Sequence, residues 1–586
     1  MKRKNLTIKA LALAIILGLA GCDPKGADDV IATFEISEDI TETEIWKSGN
    51  TYIIDGTIRV SGNITIEPGT IIEFMQDATL EIAYWEDDYA TVTAIGTEDK
   101  PIIFTSASTS PQAGDYNGLT FFAGANNCVF KHCVFEYGGK NEYNGSIYIE
   151  DTSVEFSNCQ FNNISNNAIV LNYGGEFSTF ENNTFTNIAK HAISIAANNA
   201  HTIGTNNNFQ VSAGYGIYFP DAWDFDAAGT YTWLAHNAPY IVDGNLRIGA
   251  DGNGVNLTIN PGTVIKFTAG AILEAAYWDD DFAKIIANGT ADEPILFTSN
   301  SASPTAGDYR GINFFTGARN CEFSYVTFEY AGPSDDYYPA IAIENTSVKF
   351  TNCTFKNFKH SVFKLDEGAQ FTLFTGNTFS SIGKHPIQIR PNYVHTIGTN
   401  NTFNAAANTG ILISDDEEFN KQGTYTWLNH DAPYIVEGNL RIGATGSGVN
   451  LTIAAGTTLQ FMTNAILEIP YWDDSYAVIT AEGTADNPIV FTSNSPSPAK
   501  GDWWGIDFRR GCIGSSFDYC EILYAGSSDY WGAVNLVDEA GSNPVSFTNS
   551  RIAHSGSHGI TVDSSSSLDY STVTFEDIDG NNYVEL

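Results

Sequence analysis

Hydrophobic and polar residues alternate in short runs, and these runs recur about every 24 residues. Phenylalanines mark the interval at Phe161, Phe185 and Phe209, and the surrounding runs are separated by Asn, Gly and Asp, which favour turns. Alternation predicts short β-strands that each bury one face, and a fixed period predicts that equivalent strands stack. Helical heptads are absent, so the pattern excludes a solenoid of α-helices.

The short period predicts a parallel β-helix in which each coil supplies about three strands. Equivalent residues then lie above one another from coil to coil, so Phe and Ile fill the interior. Asparagines recur at the same interval three residues before the phenylalanines, at Asn158, Asn182 and Asn206. We expect their side chains to hydrogen-bond to one another along a turn and so to satisfy buried polar groups.

A longer repeat contains the short one. The stretches at 84–90 (YWEDDYA), 277–283 (YWDDDFA) and 471–477 (YWDDSYA) are near copies that start 193 and 194 residues apart. A fixed internal period indicates repeated units of about 190 residues. We define them as module 1 (45–227), module 2 (228–421) and module 3 (422–586). If the coils are continuous, neighbouring copies of the turn lie about eight coils, or ~40 Å, apart.

The periodicity and the segment GNLRIGADGNGVNLTINPGTVIKF (244–267) resemble those of right-handed parallel β-helix proteins of the pectin-lyase-like superfamily. The resemblance covers residues 45–586 and implies an all-β, right-handed parallel β-helix solenoid built from the three modules. Members that cleave pectin use either Asp-bound calcium with an Arg base, or paired Asp residues with Gly-His-Gly and Arg-Ile-Lys motifs. Here Ser557 precedes His558-Gly559, and no Arg-Ile-Lys follows. A protein without enzyme activity is therefore favoured, although an enzyme stays open, and no catalytic residue is assigned.

Two sets of residues that could suggest catalysis recur at equivalent places in the repeat. Residues that recur in this way are interpreted more simply as structural, in turns for the histidines and beside strands for the arginines. These residues are His191, His360, His385, His558, Arg59, Arg247 and Arg441.

The start of the chain predicts export and membrane anchoring. Residues 1–21 combine a basic start with a short apolar run, as a secretory signal peptide does. The run ends in Leu19-Ala20-Gly21-Cys22, which resembles a bacterial lipobox. The resemblance implies cleavage before Cys22 and lipid attachment to it, which would hold the protein on a membrane. Residues 22–44 are predicted to form a flexible acidic tether, and the outer membrane or cell surface is the expected location.

Charge and cysteine content narrow the possible partners. Lys and Arg number 28 against 69 Asp and Glu, which gives a formal net charge of −41. This field repels nucleic acid and anionic bilayers and suits divalent cations and neutral or cationic partners.

Seven cysteines follow Cys22, and no Cys/His cluster suggests zinc. We interpret them as small buried core residues in preference to disulfides.

The acidic-aromatic turns are the best candidate sites. Consecutive carboxylates repel one another unless a cation or water screens them, and oxygen ligands favour calcium outside the cell. The alternative is a plain solvated turn, since no EF-hand spacing exists. The candidate metal ligands are Asp87, Asp88, Asp279, Asp280, Asp281, Asp473 and Asp474. The candidate residues for stacking on sugar rings are Tyr84, Trp85, Tyr277, Trp278, Tyr471 and Trp472. A second aromatic set is formed by Tyr337, Tyr338, Tyr530 and Trp531.

The sequence therefore predicts a lipid-anchored cell-envelope β-helix that acts as an adhesin or glycan-binding surface protein, with calcium as its expected cofactor. Its expected partners are the membrane, through the lipid, and a polysaccharide or cell-surface glycan, whose binding three weak sites would strengthen together. The alternatives are a polysaccharide lyase or glycoside hydrolase of the same fold, and a passive structural spacer.

Overall fold

The computed structural model describes residues 31–586 except 221–223, 333–338, 415–417, 473, 528–530, 538–539 and 541–543. The chain divides into two compact units. The first runs to residue 223 and includes 234–241, and the second comprises 224–233 and 242–586. The signal peptide, Cys22 and the first part of the tether lie outside the described residues.

The first unit is made of short strands and one 3₁₀ helix (Ala197–Thr202). Its strands are β1 (Thr33–Ile36), β2 (Glu44–Trp46), β3 (Thr51–Ile54), β4 (Thr57–Val60), β5 (Ile64–Ile66), β6 (Ile71–Phe74), β7 (Thr79–Ile82), β8 (Val92–Ile95), β9 (Ile102–Ser106), β10 (Gly118–Phe121), β11 (Cys128–Lys131), β12 (Cys133–Glu136), β13 (Ile147–Glu150), β14 (Ser153–Ser157), β15 (Gln160–Ile164), β16 (Ile169–Asn172), β17 (Glu176–Glu181), β18 (Thr184–Ile188), β19 (Ile193–Ser194), β20 (Asn208–Val211) and β21 (Ile217–Phe219).

The remaining strands belong to the second unit, apart from β23, which the two units share. They are β22 (Gly229–Trp233), β23 (Tyr240–Val242), β24 (Asn245–Ile248), β25 (Val255–Ile259), β26 (Val264–Phe267), β27 (Ile272–Ala275), β28 (Ala283–Asn288), β29 (Ile295–Ser299), β30 (Gly311–Phe314), β31 (Cys321–Ser324), β32 (Val326–Glu329), β33 (Ile341–Ile343), β34 (Ser347–Thr351), β35 (Thr354–Phe358), β36 (Phe363–Leu365), β37 (Gln370–Thr375), β38 (Thr378–Ile382), β39 (Ile387–Ile389), β40 (Ile411–Ile413), β41 (Gly423–Trp427), β42 (Tyr434–Val436), β43 (Asn439–Arg441), β44 (Val449–Ile453), β45 (Thr458–Phe461), β46 (Ile466–Ile469), β47 (Ala477–Glu482), β48 (Ile489–Ser493), β49 (Gly505–Phe508), β50 (Ser515–Asp518), β51 (Cys520–Leu523), β52 (Gly532–Leu536), β53 (Val545–Thr548), β54 (Arg551–Ala553), β55 (His558–Val562), β56 (Thr574–Glu576) and β57 (Tyr583–Glu585).

Each coil passes through three parallel sheets, which confirms the predicted all-β parallel solenoid. In the first unit the three sheets run β1-β3-β6-β9-β12-β15-β18-β20, β2-β5-β8-β11-β14-β17 and β4-β7-β10-β13-β16-β19-β21. Within the described residues the only other helix is a second 3₁₀ helix (Pro391–Thr396), and no helix is long and apolar enough to cross a membrane.

In the second unit one sheet continues through modules 2 and 3, whereas the other two sheets of module 2 end and two new sheets begin in module 3. The "long sheet" runs β24-β27-β30-β33-β36-β39-β40-β42-β45-β48-β51-β54-β56. Beside it, sheets β22-β25-β28-β31-β34-β37 and β26-β29-β32-β35-β38 serve module 2. They are succeeded in module 3 by sheet β41-β44-β47-β50-β53 and by sheet β43-β46-β49-β52-β55-β57, which we call the "late sheet".

The phenylalanine ladder fills the interior of the first unit as predicted. Phe161, Phe185 and Phe209 face one another in register, and their ring centroids lie 4.7 and 5.1 Å apart. All three are buried. Stacked aromatic rings at this spacing combine burial with favourable ring contacts, so identical residues one coil apart stabilise adjacent coils.

The asparagine ladder exists, but it lies one residue later than predicted. Asn158 and Asn182 have left-handed backbones (φ 56° each) and form the corner between two strands, a conformation that asparagine tolerates well. The side chains that accept hydrogen bonds between coils belong to the residue after this corner, Asn183 and Asn207. The Cys159 N–H donates to the Asn183 side-chain oxygen (2.9 Å), and the Asn183 N–H donates to that of Asn207 (3.0 Å). Where glycine occupies the corner position, at Gly376, φ is likewise positive (70°).

The solenoid begins inside the segment predicted as a tether. Strand β1 pairs in parallel with β3, and Phe34 stacks on Tyr52 at 5.2 Å. Ile40 forms a bridge with Val60. Residues 33–40 therefore belong to the first coils of the solenoid.

The seven cysteines after Cys22 are all buried and unpaired, as predicted: Cys128, Cys133, Cys159, Cys321, Cys353, Cys512 and Cys520. Burial raises the pKa of the Cys128 thiol to about 11, so this thiol stays protonated and unreactive.

Candidate functional site

The three Tyr-Trp turns leave equivalent strands of their modules. They follow β7, β27 and β46, and in the first two a left-handed alanine precedes the tyrosine (Ala83 and Ala276, φ 56° each). Pro470 stands at this position in module 3. The abrupt change of direction projects the next two side chains away from the core.

In every turn the Trp ring packs edge-on against the neighbouring Tyr ring. The centroid separations and interplanar angles are 4.7 Å and 84° for Tyr84–Trp85, 4.8 Å and 83° for Tyr277–Trp278, and 5.0 Å and 87° for Tyr471–Trp472. Trp85 and Trp278 are 59% and 57% exposed, whereas Trp472 is half-buried. The predicted stacking residues are therefore brought together as pairs at the surface.

An arginine supports each tyrosine ring from the preceding coil. Its Cζ lies over the ring centroid at 4.5 Å for Arg59 on Tyr84, 4.4 Å for Arg247 on Tyr277 and 4.3 Å for Arg441 on Tyr471. Such cation–π contacts restrict both partners. These arginines were interpreted only as structural charges, and their link to the turns was missed. Their recurrence 25 or 30 residues before each tyrosine was the available signal.

A glutamate from the turn-bearing strand orients each arginine. The Arg Nε donates to the carboxylate at 3.1 Å for Arg59–Glu81, 3.1 Å for Arg247–Glu274 and 3.0 Å for Arg441–Glu468. Burial raises the pKa of Glu81, although the Arg59 guanidinium opposes this shift. Glutamate, arginine and tyrosine thus form a fixed base beneath each tryptophan.

The acidic residues of the turns divide into two groups. The fifth residue of each turn closes it, because the N–H of Asp88, Asp281 or Ser475 donates to the Trp carbonyl at 2.8, 3.0 and 3.0 Å. Ser475 also donates its hydroxyl to that carbonyl (2.7 Å), so an acid is not required for closure. The other described carboxylates are exposed: Glu86, Asp87, Asp279, Asp280 and Asp474. Asp473 lies outside the described residues.

The turn carboxylates are not gathered around a point. In the described part of the chain, no three His, Cys, Asp or Glu side chains are grouped closely enough to hold a metal ion. The calcium assignment stays a prediction. Burial raises the pKa of Asp281, and the nearby carboxylates of Asp251, Asp224 and Asp226 raise it further.

A polar cleft adjoins the turn of module 1. It has a volume of about 240 Å³ and lies over β4, β7 and β10. Tyr84 packs edge-on against Phe122 of its lining at 5.2 Å. The lining residues are Thr57, Thr79, Glu81, Asn117, Gly118, Leu119, Thr120, Phe122, Asn141, Asn144 and Gly145. Hydroxyl, amide and carboxylate groups therefore lie beside an aromatic surface.

The second aromatic set is mostly outside the described residues, which exclude Tyr337, Tyr338 and Tyr530. Trp531 is described, lies just before β52 and is exposed.

Two of the recurrent histidines act as turn residues. The Gly216 N–H donates to Nδ1 of His191, and the Gly410 N–H donates to Nδ1 of His385, both at 3.3 Å. Burial lowers the pKa of His385, which keeps its ring neutral and able to accept this hydrogen bond. Both contacts join one coil to the next, which supports their interpretation as structural residues.

The parallel coils, three-sheet cross-section and outward turns define a right-handed parallel β-helix protein. A family model described as a pectate-lyase-like β-helix domain matches residues 38–206, 228–332 and 420–509, and a model of the right-handed β-helix region matches 289–459. Because these matches span more than half of the chain, the protein belongs to the pectate-lyase-like β-helix family. The comparison with curated proteins gave no match.

Proposed function

We propose that this protein binds carbohydrate through its three Tyr-Trp turns and acts as a lipid-anchored adhesin or glycan-binding protein of the cell envelope. One observation carries the proposal: at all three turns a surface tryptophan, exposed in modules 1 and 2 and half-buried in module 3, is held on a fixed Glu-Arg-Tyr base. A flat apolar ring that is held in place at the surface is what stacking on a sugar ring needs.

Preorganisation makes such a surface effective. The arginine beneath the tyrosine and the edge contact between the rings limit the rotamers of both aromatic side chains. Little conformational entropy is then lost when a ligand binds, so a small contact area can still give useful affinity. In module 1, Asn141, Asn144 and Thr120 of the adjoining cleft can form hydrogen bonds with sugar hydroxyl groups.

The charge around the turns favours neutral polysaccharides. The net charge is −41, each supporting arginine is already paired with a glutamate, and every turn carries at least one exposed carboxylate. An acidic polymer would meet repulsion from the exposed carboxylates at these positions. A bound calcium ion would reduce this repulsion, and calcium is retained as a possible aid to binding for that reason.

The binding proposal is tested on immobilised neutral polysaccharides: galactan, xylan and β-glucan. The variant Trp85→Ala/Trp278→Ala/Trp472→Ala should lose retention that the unmodified protein shows. The matched control is Trp504→Ala, which removes another tryptophan that is 51% exposed but lies outside the turns. Unchanged retention of the triple variant would remove the stacking role.

The anchoring part of the proposal rests on the lipobox resemblance at Cys22. The Cys22→Ser variant should appear in the soluble fraction, or stay unprocessed, when membranes are separated by centrifugation. Normal processing and membrane retention of this variant would contradict lipidation, while leaving carbohydrate binding untouched.

A further inference from the structure

Modules 2 and 3 present their Tyr-Trp turns on different sides of the second unit. In module 2 the turn leaves β27, a strand of the long sheet. In module 3 it leaves β46, which belongs to the late sheet, while the long sheet is continued there by β42, β45 and β48. The same sequence motif therefore occupies two different sheets of one compact unit.

The offset follows from how many coils one repeat contains. Strand β45 is seven strands beyond β27 in the long sheet, and the chain then passes one more side before the second turn. At ~4.8 Å per coil, the two turns lie ~35 Å apart along the axis instead of the ~40 Å expected for eight coils. One repeat therefore comprises seven coils and one additional strand of the next coil. Trp472 consequently projects from a different sheet than Trp278 does.

We infer that the second unit binds two separate polysaccharide chains and cross-links them, with one chain on Trp278 and the other on Trp472. This inference rests on the proposed function. A straight polysaccharide chain that is bound to Trp278 would run along the long sheet. At the axial position of Trp472 it would lie on a different side of the coil from Trp472. The two sites therefore do not form one continuous track, and occupation of one leaves the other open to a second chain.

Both sites are complete in themselves. Each has its own Tyr-Trp pair, its own supporting arginine (Arg247 or Arg441) and its own glutamate. Neither site borrows a residue from the other, so each can bind alone. Two independent sites on one stiff body are what bridging of two polymers requires.

The test uses the full chain in a Trp85→Ala background, which leaves only the turns of modules 2 and 3. Beads of two colours are coated with galactan, xylan or β-glucan, mixed with protein, and scored for mixed-colour clusters. The Trp85→Ala protein should join beads of both colours. The variants Trp85→Ala/Trp278→Ala and Trp85→Ala/Trp472→Ala should each still bind to single beads. Their mixed-colour clusters should fall to the level seen without protein.

The outcomes separate this inference from the proposed function. Binding by all three variants without mixed clusters for any of them would show that both turns engage one chain, which overturns cross-linking and leaves carbohydrate binding intact. Mixed clusters formed by a single-turn variant would show that bridging comes from self-association, which also overturns the inference. No binding by the Trp85→Ala protein, despite binding by the unmodified protein, would exclude both turns of the second unit as sites.

Discussion

The turns of modules 2 and 3 share an aromatic pair but differ in what surrounds it. In module 2, Phe315 packs edge-on against Tyr277 at 5.4 Å. In module 3 the equivalent residue is Arg509, whose guanidinium lies 5.5 Å from the centre of the Tyr471 ring. Glu468 consequently binds two arginines, Arg441 and Arg509, at 3.0 Å each.

The closing residue of the turn differs as well. Asp281 closes the module 2 turn and lies near three other carboxylates, whereas Ser475 closes the module 3 turn through its backbone and hydroxyl groups. Tyrosine, tryptophan, arginine and glutamate are thus common to both sites, whereas an acidic closing residue is present in module 2 alone of these two. The aromatic pair and its base are therefore the part of the candidate site that both modules share, while the acidic residues around it differ.

The largest expected difference between the modules concerns the glutamate. Removing Glu468, which is 5% exposed, takes the nearest carboxylate from two partly buried guanidiniums, although Arg509 retains Asp507 at 3.8 Å, so Glu468→Ala should lower the free energy of unfolding by about 3–5 kcal/mol. Glu274→Ala should cost less, because it affects a single arginine, Arg247, which retains Asp224 at 3.9 Å. Urea denaturation followed by circular dichroism measures both, with Glu468→Gln as the packing control. Equal losses in the two modules would contradict the double role of Glu468.

Carbohydrate retention should also differ between the two turns. In the Trp85→Ala background, Trp278→Ala should weaken retention about three- to tenfold more than Trp472→Ala, since the more exposed ring offers more apolar area. Affinity electrophoresis in gels that contain galactan, xylan or β-glucan measures this. Arg509→Phe, which places the module 2 residue in module 3, should reduce the difference in carbohydrate retention between the two turns. A stronger loss from Trp472→Ala would reverse the proposed ranking.

Calcium binding should distinguish the modules if the acidic turns bind it. We expect weak binding, with a dissociation constant of ~0.1–1 mM, and loss of about one ion in the variant Asp279→Asn/Asp280→Asn/Asp281→Asn. Isothermal titration calorimetry against the unmodified protein measures the difference. The control is Ser475→Ala, which leaves every carboxylate in place. Identical titrations of the triple variant and the unmodified protein would identify the acids as solvated turn residues.

The smallest expected effect is the pH dependence that Asp281 adds to stability. Its pKa is raised in the folded protein, chiefly by burial, so folding favours the protonated form. Its contribution to stability is therefore present at low pH and is lost as the pH rises through the raised pKa. Asp281→Ser, which copies module 3, should raise the melting temperature slightly at pH 7 and leave it unchanged at acid pH. A gain that is equal at both pH values would exclude ionisation as its cause.

Much of the fold could be predicted because stacking of coils depends only on near neighbours. The alternation around Phe161, Phe185 and Phe209 identified strands, buried faces and register. The asparagine ladder was misplaced by one residue, because spacing alone does not show that Asn182 supplies the left-handed corner and Asn183 the hydrogen-bonding amide. The aromatic residues of the candidate site were predicted, but Arg59, Arg247 and Arg441 were not linked to them, since they approach from another coil.

The sequence by itself determined the strands, the parallel stacking and the three equivalent turns, because alternation and a fixed period act through local conformation and adjacent coils. Only the tertiary structure decided the direction in which each turn faces. That direction depends on the sum of all strand and loop lengths between β27 and β46, and this sum is not a whole number of coils. The spacing of 194 residues does not reveal this remainder of one side, yet the remainder places Trp278 and Trp472 after strands of different sheets.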